Sequence, residues 1–179
     1  MVLSTMPSTL PSSSQSLLEA LWIKPYSFGE KIRDSIMPSD ENKLLVRRFY
    51  EEVVNTGNVD LIERFIAPEY VEVSDGKRHV IGVEGAKAHI LGVRQTYPDL
   101  HIEIERQISE GEWVVTCITA RGTHRGLWLG IKPTGKAIAF TGVNIDRLVG
   151  DRIVEHGGAA NMLGPLLEIG AIKVVGPDE

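Results

Sequence analysis

The chain of 179 residues has one cysteine, Cys117, so no intramolecular disulfide can hold it together. A single thiol suits a reducing compartment, and its alternating, mostly apolar neighbours read as the setting of a buried inert thiol rather than a nucleophile. No apolar run approaches the about 20 residues a membrane helix needs, so no spanning segment is expected. Basic residues do not cluster, and 19 Lys and Arg against 24 Asp and Glu leave a net charge of −5. Phosphate neutralisation calls for the opposite balance, so nucleic acid is not an expected partner. The N-terminus lacks both a basic segment and an uninterrupted apolar stretch before Glu19, which speaks against a secretory signal, and Arg is absent until Arg33. Cytoplasmic is the expected location. His79, His101 and His156 show no metal-ligand spacing and there is no HExxH, so no metal is expected. A nucleophile elbow and a Gly-rich phosphate loop are missing as well.

What remains is ordinary for a globular domain, at 42% hydrophobic and 24% charged residues. Residues 1–38 read as a flexible, Ser- and Pro-rich extension, with Leu17, Leu18, Leu21 and Trp22 at helical spacing over Ser16 to Ile23. Residues 39–173 form the domain and 174–179 a tail. Ser39 or Asp40 caps a helix to about Asn55 with Leu44, Leu45, Phe49, Val53 and Val54 inward. Asn58 caps a short helix, Val59 to Ile66, and Glu69 to Ser74 alternates as a strand before an Asp75-Gly76 turn. A third helix runs from about Val83 to Thr96 with Ala86, Ile90, Val93 and Tyr97 as its apolar stripe, closed by Pro98. Two strands around Glu110-Gly111 make a hairpin, and a Gly- and Pro-punctuated loop, Arg125 to Lys136, carries Trp128. A last helix is expected over about Ala159 to Ile169. Helices followed by an antiparallel meander describe an α+β domain, a curved sheet wrapped around its helices.

The central stretch is Phe140 to Gly158. Two alternating runs flank Gly150-Asp151, which marks a second hairpin. Strict two-residue periodicity through a two-residue loop puts Asp146 opposite Glu155 and Asn144 opposite Gly157. Asn144, Asp146, Leu148, Ile153 and Glu155 then share one face.

By its residues the chain resembles the SnoaL-like polyketide cyclases, or ester cyclases, of the nuclear transport factor 2-like superfamily. The resemblance covers about Asn42 to Ile172. It rests on Asn55-Thr56-Gly57, Tyr97-Pro98-Asp99-Leu100, Gly122-Thr123-His124 with Gly126 and Gly130, Pro133-Thr134-Gly135, Arg152-Ile153-Val154-Glu155-His156 and the closing helix Met162 to Gly170. It implies a cone-shaped α+β barrel with a deep apolar cavity for a small hydrophobic carbonyl compound, paired into a homodimer through the sheet. It also implies cyclase chemistry without metal or cofactor, in which a carboxylate removes a carbon-bound proton. In the family stretch Glu-His-Trp-Asp that carboxylate falls on Gly158, the polarising His on Asn144, and a Gln on Gly142.

Without the family carboxylate, the candidate acid/base residues are Asp146, Glu155 and His124. Paired carboxylates in a cavity would lift one pKa toward neutrality, whereas at a solvated rim with a nearby cation they would not, and the rim is favoured because they lie near the turn. His124, at a strand end, either orients a carbonyl or simply closes the strand. Asn144, Tyr97, Trp113, Trp128, Gly142 and Gly158 are the candidate ligand-binding positions, with the aromatics as walls for a flat apolar ligand or plain core. An enzyme, a silent binding module and a dimeric interaction module all remain open.

Overall fold

The computed structural model describes residues 38–128 and 130–176. The expected Ser16 to Ile23 helix lies outside them. Helix α1, Pro38–Phe49, begins one residue before the expected cap, so Ser39 and Asp40 lie within its first turn. Proline at a helix start gives up no bonded N–H, and Asp40 and Glu41 sit favourably against the N-terminal dipole. The helix widens into a π-helical turn, Tyr50–Val54, which ends at Asn55. The inward stripe is Val46, Phe49, Tyr50 and Val53; Leu44, expected inside, is 54% exposed.

A 3-10 turn, Val59–Arg64, takes no side-chain cap from Asn58 and leads into β1, Ile66–Ser74. Asp75 and Gly76 have φ of 50° and 70°, the paired positive values of a type I′ hairpin turn. The turn returns the chain as β2, Lys77–Val80, a strand the sequence pattern did not reveal. Helix α2 spans Gly82–Thr96. Strands β3 (His101–Glu110), β4 (Trp113–Thr123), β5 (Ala137–Val149) and β6 (Arg152–Ala160) follow as an antiparallel meander, and α3 is Leu163–Glu168. That last helix starts later than expected because β6 continues to Ala160.

The order β2-β1-β6-β5-β4-β3 leaves β2 and β3 as unpaired edges, so the six-stranded sheet does not close into a barrel. Only β1 and β6 run parallel, which sets Glu72 beside His156 across the two ends of the domain sequence. One buried cluster, including Val46, Val53, Ile62, Phe65, Ile66, Val114, Leu148 and Ile153, fills the space between α1 and the sheet. A second gathers Tyr97, Leu100, Ala120, Ile138 and Ile169.

Two polar clamps join these clusters. Asn55 Nδ2 donates to the Ile102 carbonyl at 2.9 Å, and the Ile102 amide donates back to Asn55 Oδ1 at 2.7 Å. The Arg94 guanidinium donates to the carbonyls of Val54, Asn55, Leu100 and Pro98 at 2.9 to 3.2 Å. Gly57, at φ 72°, lies where a Cβ would come within 2.8 Å of Arg94 Nε, so the turn after the π-helix requires glycine. Asn55→Ala removes both bonds to Ile102 and strands its partly buried backbone groups. The expected cost is about 1–3 kcal/mol, read as a lower urea midpoint with an unchanged denaturant slope.

Candidate functional site

The β5–β6 hairpin sets the site, and one extra residue in it decides which side chains meet. Val149 pairs with Arg152 and Leu148 with Ile153, as a two-residue Gly150-Asp151 loop requires. The register then shifts: Arg147 faces Glu155, Asp146 faces His156 and Asn144 faces Gly158. Val154 and Glu155 together oppose one residue of β5, a β-bulge. The expected pairing of Asp146 with Glu155 is thus corrected, because period-two counting cannot see an inserted residue. Glu155 lies instead across from Val71 of β1 and forms an ion pair at 2.7 Å with Arg78 of β2, away from Asp146. His156 takes the place beside Asp146.

Asp146 is 1% exposed, and its Oδ1 is 2.8 Å from His156 Nδ1. Its Oδ2 is buried without a partner among the described residues. Next to it on β5, Asn144 Nδ2 donates at 2.6 Å to the hydroxyl of Tyr50, the buried first residue of the π-helical turn. Across the β1–β6 pair, Glu72 hydrogen-bonds His89 of α2. The site therefore contains two carboxylate–imidazole pairs, one buried and one at an exposed edge, where His89 is 51% exposed.

These groups hold one another's charge. Burial opposes protonation of His156, but the hydrogen bond to Asp146 and the negative charges of Asp146 and Glu72 outweigh it, so its pKa rises above the ordinary 6.5. Glu72 is lowered, first by its hydrogen bond to His89 and then by nearby imidazoles, against burial. Burial, reinforced by Asp146, raises Tyr50 well above the ordinary phenol value, and Tyr70 likewise. Both phenols stay protonated at neutral pH and keep an O–H to donate.

His156, Asn144, Glu72, His89, Tyr50 and Tyr70 line a cavity of about 140 Å³. Its apolar wall comes from Phe49, Val54, Ala86, Ile90, Val93, Leu100 and Ile102, so it lies between the two core clusters. Arg94 also reaches it, with its guanidinium committed to the four carbonyls.

The other sequence candidates fall elsewhere. His124 is fully buried, its Nδ1 3.1 Å from Thr134 Oγ1, and its ring stands 5.9 Å from Tyr97 and 6.2 Å from Trp128. That aromatic group sits at the far end of β4 from Val114, the partner of Asp146, and none of its members lines the cavity. Trp113 is on the outer sheet face, 41% exposed, with the Arg147 guanidinium 6.0 Å from its ring centre. Gly142 is buried, and a Cβ there would touch Ile118 and the Ala159 carbonyl at 3.3 Å. A Cβ on Gly158 would lie 2.6 Å from both Asn144 Oδ1 and the Val143 carbonyl oxygen, so the local backbone has no room for a side chain. Gly158 thus does not widen the cavity; Asn144 occupies the space. Sequence reasoning missed Tyr50, Tyr70, Glu72, His89 and the role of His156. The Glu72–His89 contact spans 17 residues and Tyr50–Asn144 spans 94, separations without a local pattern. Among the described residues no three His, Cys, Asp or Glu side chains converge as metal ligands, and no helix is long and apolar enough to cross a membrane.

Helices packed on an open, mostly antiparallel six-stranded sheet make an α+β fold that this chain shares with a solved SnoaL-like structure from Jannaschia, at a TM-score of 0.69. The profile of the SnoaL-like polyketide cyclases matches residues 44–169, and the chain belongs to that family. It is 26% identical over 129 residues to the aklanonic acid methyl ester cyclase DnrD of Streptomyces peucetius, covering 70% of this chain and 88% of that one. Among solved structures, AclR of Streptomyces galilaeus superposes with a TM-score of 0.68 at 25% identity, covering 78% of this chain and 87% of AclR. IdmH of Streptomyces antibioticus superposes with a TM-score of 0.63 at 26% identity over 72% of this chain and 98% of its own.

A raised histidine pKa has a definite signature in stability. The contribution of the Asp146–His156 pair is complete below the ordinary pKa of 6.5 and is lost as pH rises through the higher folded value. Following the His156 ring by NMR should give a midpoint above 6.5 that falls in Asp146→Asn. The same substitution should flatten the decline of unfolding free energy across the neutral range.

Proposed function

We propose that the chain is a cofactor-independent acid/base catalyst acting on a small hydrophobic carbonyl compound, with His156 as the proton-transferring group and Asp146 behind it. The supporting observation is the 2.8 Å contact between Asp146 Oδ1 and His156 Nδ1 on the wall of the cavity. With Nδ1 held by the carboxylate, Nε2 is the atom left for a substrate. The neutral imidazole takes a proton from the carbon next to the carbonyl, and the electron pair of that C–H bond moves onto the carbonyl oxygen as an enolate. Donation from the Tyr50 hydroxyl, which already accepts from Asn144, stabilises that oxygen. The enolate carbon then attacks a second carbonyl of the same molecule or is reprotonated elsewhere, and the imidazolium returns its proton, so no electrons leave the substrate. This places the base on a neighbouring side chain of the same hairpin rather than at position 158.

Deuterium uptake at the acetyl methyl group of 3-hydroxyacetophenone reads the first step without knowledge of the physiological substrate. The protein is expected to accelerate uptake by about 10²-fold or more over buffer, the usual range for positioned acid/base groups. His156→Gln and Asp146→Asn should each abolish most of that gain, and Glu155→Gln, which faces Arg78, should keep it. Unaccelerated uptake in the unaltered protein, or full uptake in both site variants, sinks the acid/base reading.

A second reading, a silent ligand-binding or dimeric module, draws on Gly158 and on the outer sheet face. There Ile108, Trp113, Val143 and Ile145 are 58%, 41%, 42% and 42% exposed. An apolar sheet face of this kind fits pairing with a second copy. Ile145→Lys should then shift sedimentation from dimer to monomer; a monomeric unaltered protein would exclude the pairing.

A further inference from the structure

The cavity beside His156 measures about 140 Å³. Pockets for drug-sized ligands run to about 300–1,000 Å³, whereas a dry protein cavity of about 150 Å³ accepts benzene. We infer that the site takes a single aromatic or alicyclic ring carrying a carbonyl group and, a short way along the same edge, a hydroxyl, and that it disfavours fused polycycles. The carbonyl group rests on the acid/base reading above; the size limit rests on the walls alone.

Those walls are fixed from several directions. Tyr50 and Tyr70 are each 4% exposed, and Tyr50 is tied to Asn144 of β5 at 2.6 Å. Helix α2, which brings Ala86, Ile90 and Val93, is anchored by the four carbonyl bonds of Arg94, two of them to the segment closing α1. Spreading α2 from the sheet to admit a second ring would break those bonds and open the close-packed clusters on either side. Swinging one side chain aside does not suffice, because the apolar lining comes from α1, its π-turn, α2, the segment before β3 and β3 itself.

The polar groups sit side by side, with Glu72 of β1 next to His156 of β6. Asn144, Tyr50 and His156 offer donors and an acid/base at the sheet. Glu72, with its pKa lowered and His89 against it, offers a carboxylate acceptor at the edge of the cavity, and a ligand hydroxyl is the donor it fits. The remaining lining, with Val54, Ile90, Val93, Leu100 and Ile102, is apolar and suits the ring.

Titration calorimetry on the full chain tests this with three probes: 3-hydroxyacetophenone, acetophenone and 1-hydroxyanthraquinone. The hydroxylated single ring is expected to bind at one site at least ten-fold tighter than the anthraquinone. Acetophenone should bind several-fold more weakly than its hydroxylated analogue, and Glu72→Gln should erase most of that difference. Ile90→Ala should shrink or reverse the preference between one ring and three. Ile90→Trp should weaken single-ring binding at least ten-fold, with Val93→Phe as the second filling variant if the first fails to fold. Anthraquinone binding as tightly as the single ring, no saturable single-ring binding at millimolar concentration, or binding indifferent to both filling variants would overturn the inference. Retained single-ring binding in His156→Gln, with deuterium uptake absent even in the unaltered protein, would remove the catalytic reading and leave the size limit standing.

Discussion

One surplus residue in β6 determines what this site is. Because Val154 and Glu155 together face Arg147, every residue after them changes sides relative to an unbroken ladder. His156 turns inward to Asp146, and Glu155 meets Arg78 on the other side. Without the bulge the buried position of Asp146 would face a second carboxylate, and the desolvated repulsion between them would have to be relieved by protonation or by a rearranged sheet. The bulge replaces that conflict with an imidazole. The parallel pairing of β1 with β6 then adds Glu72 beside His156, so the first and last parts of the domain sequence meet where the charges do.

The cluster is internally consistent in its electrostatics. Asp146 and Glu72 favour a proton on His156, and Asp146 also discourages ionisation of Tyr50 and Tyr70. Burial, with Asp146 adding to it, keeps two phenols as donors, and Asp146 with Glu72 raises the basicity of one imidazole, the combination that enolate chemistry requires. Gly158 belongs to the same design. Asn144 reaches over it to Tyr50, and a side chain at 158 would occupy the position of Asn144 Oδ1. The close approach at Gly158 and the Asn144–Tyr50 hydrogen bond are thus two aspects of one packing arrangement.

The fold was largely legible because its signals are local. Helical stripes, the Asp75-Gly76, Gly111 and Gly150 turns and the alternation of β3 to β6 all act within about ten residues, and the family motifs reinforced them. Misreadings came where a local rule met a longer-range constraint. Leu44 fits an inward stripe by spacing, yet the structure buries Val46 and Tyr50 instead. Strand β2, Lys77-Arg78-His79-Val80, has no apolar alternation and exists because its type I′ turn delivers it to β1. The alternation places Asn144 and Asp146 on one face correctly, but the solvated rim expected for Asp146 is overturned by its 1% exposure, because the β5–β6 hairpin packs against α1 and β1 up to its turn. Their partners were not legible, since Tyr50, Tyr70, Glu72 and His156 reach them through tertiary pairing and a bulge that leave no trace in composition or period. Tyr97, His124 and Trp128 do converge, but around the second core cluster and not around the cavity.

Which ring nitrogen of His156 carries the proton follows directly from the bulge. If Asp146 accepts from Nδ1–H, the neutral ring must leave Nε2 unprotonated and free to act as a base. A long-range proton–nitrogen correlation spectrum of selectively labelled protein above the His156 titration reports this directly. The predicted result is a protonated Nδ1 with a downfield proton that disappears in Asp146→Asn; a protonated Nε2, indifferent to that substitution, would contradict the inward turn of His156 and the chemistry built on it.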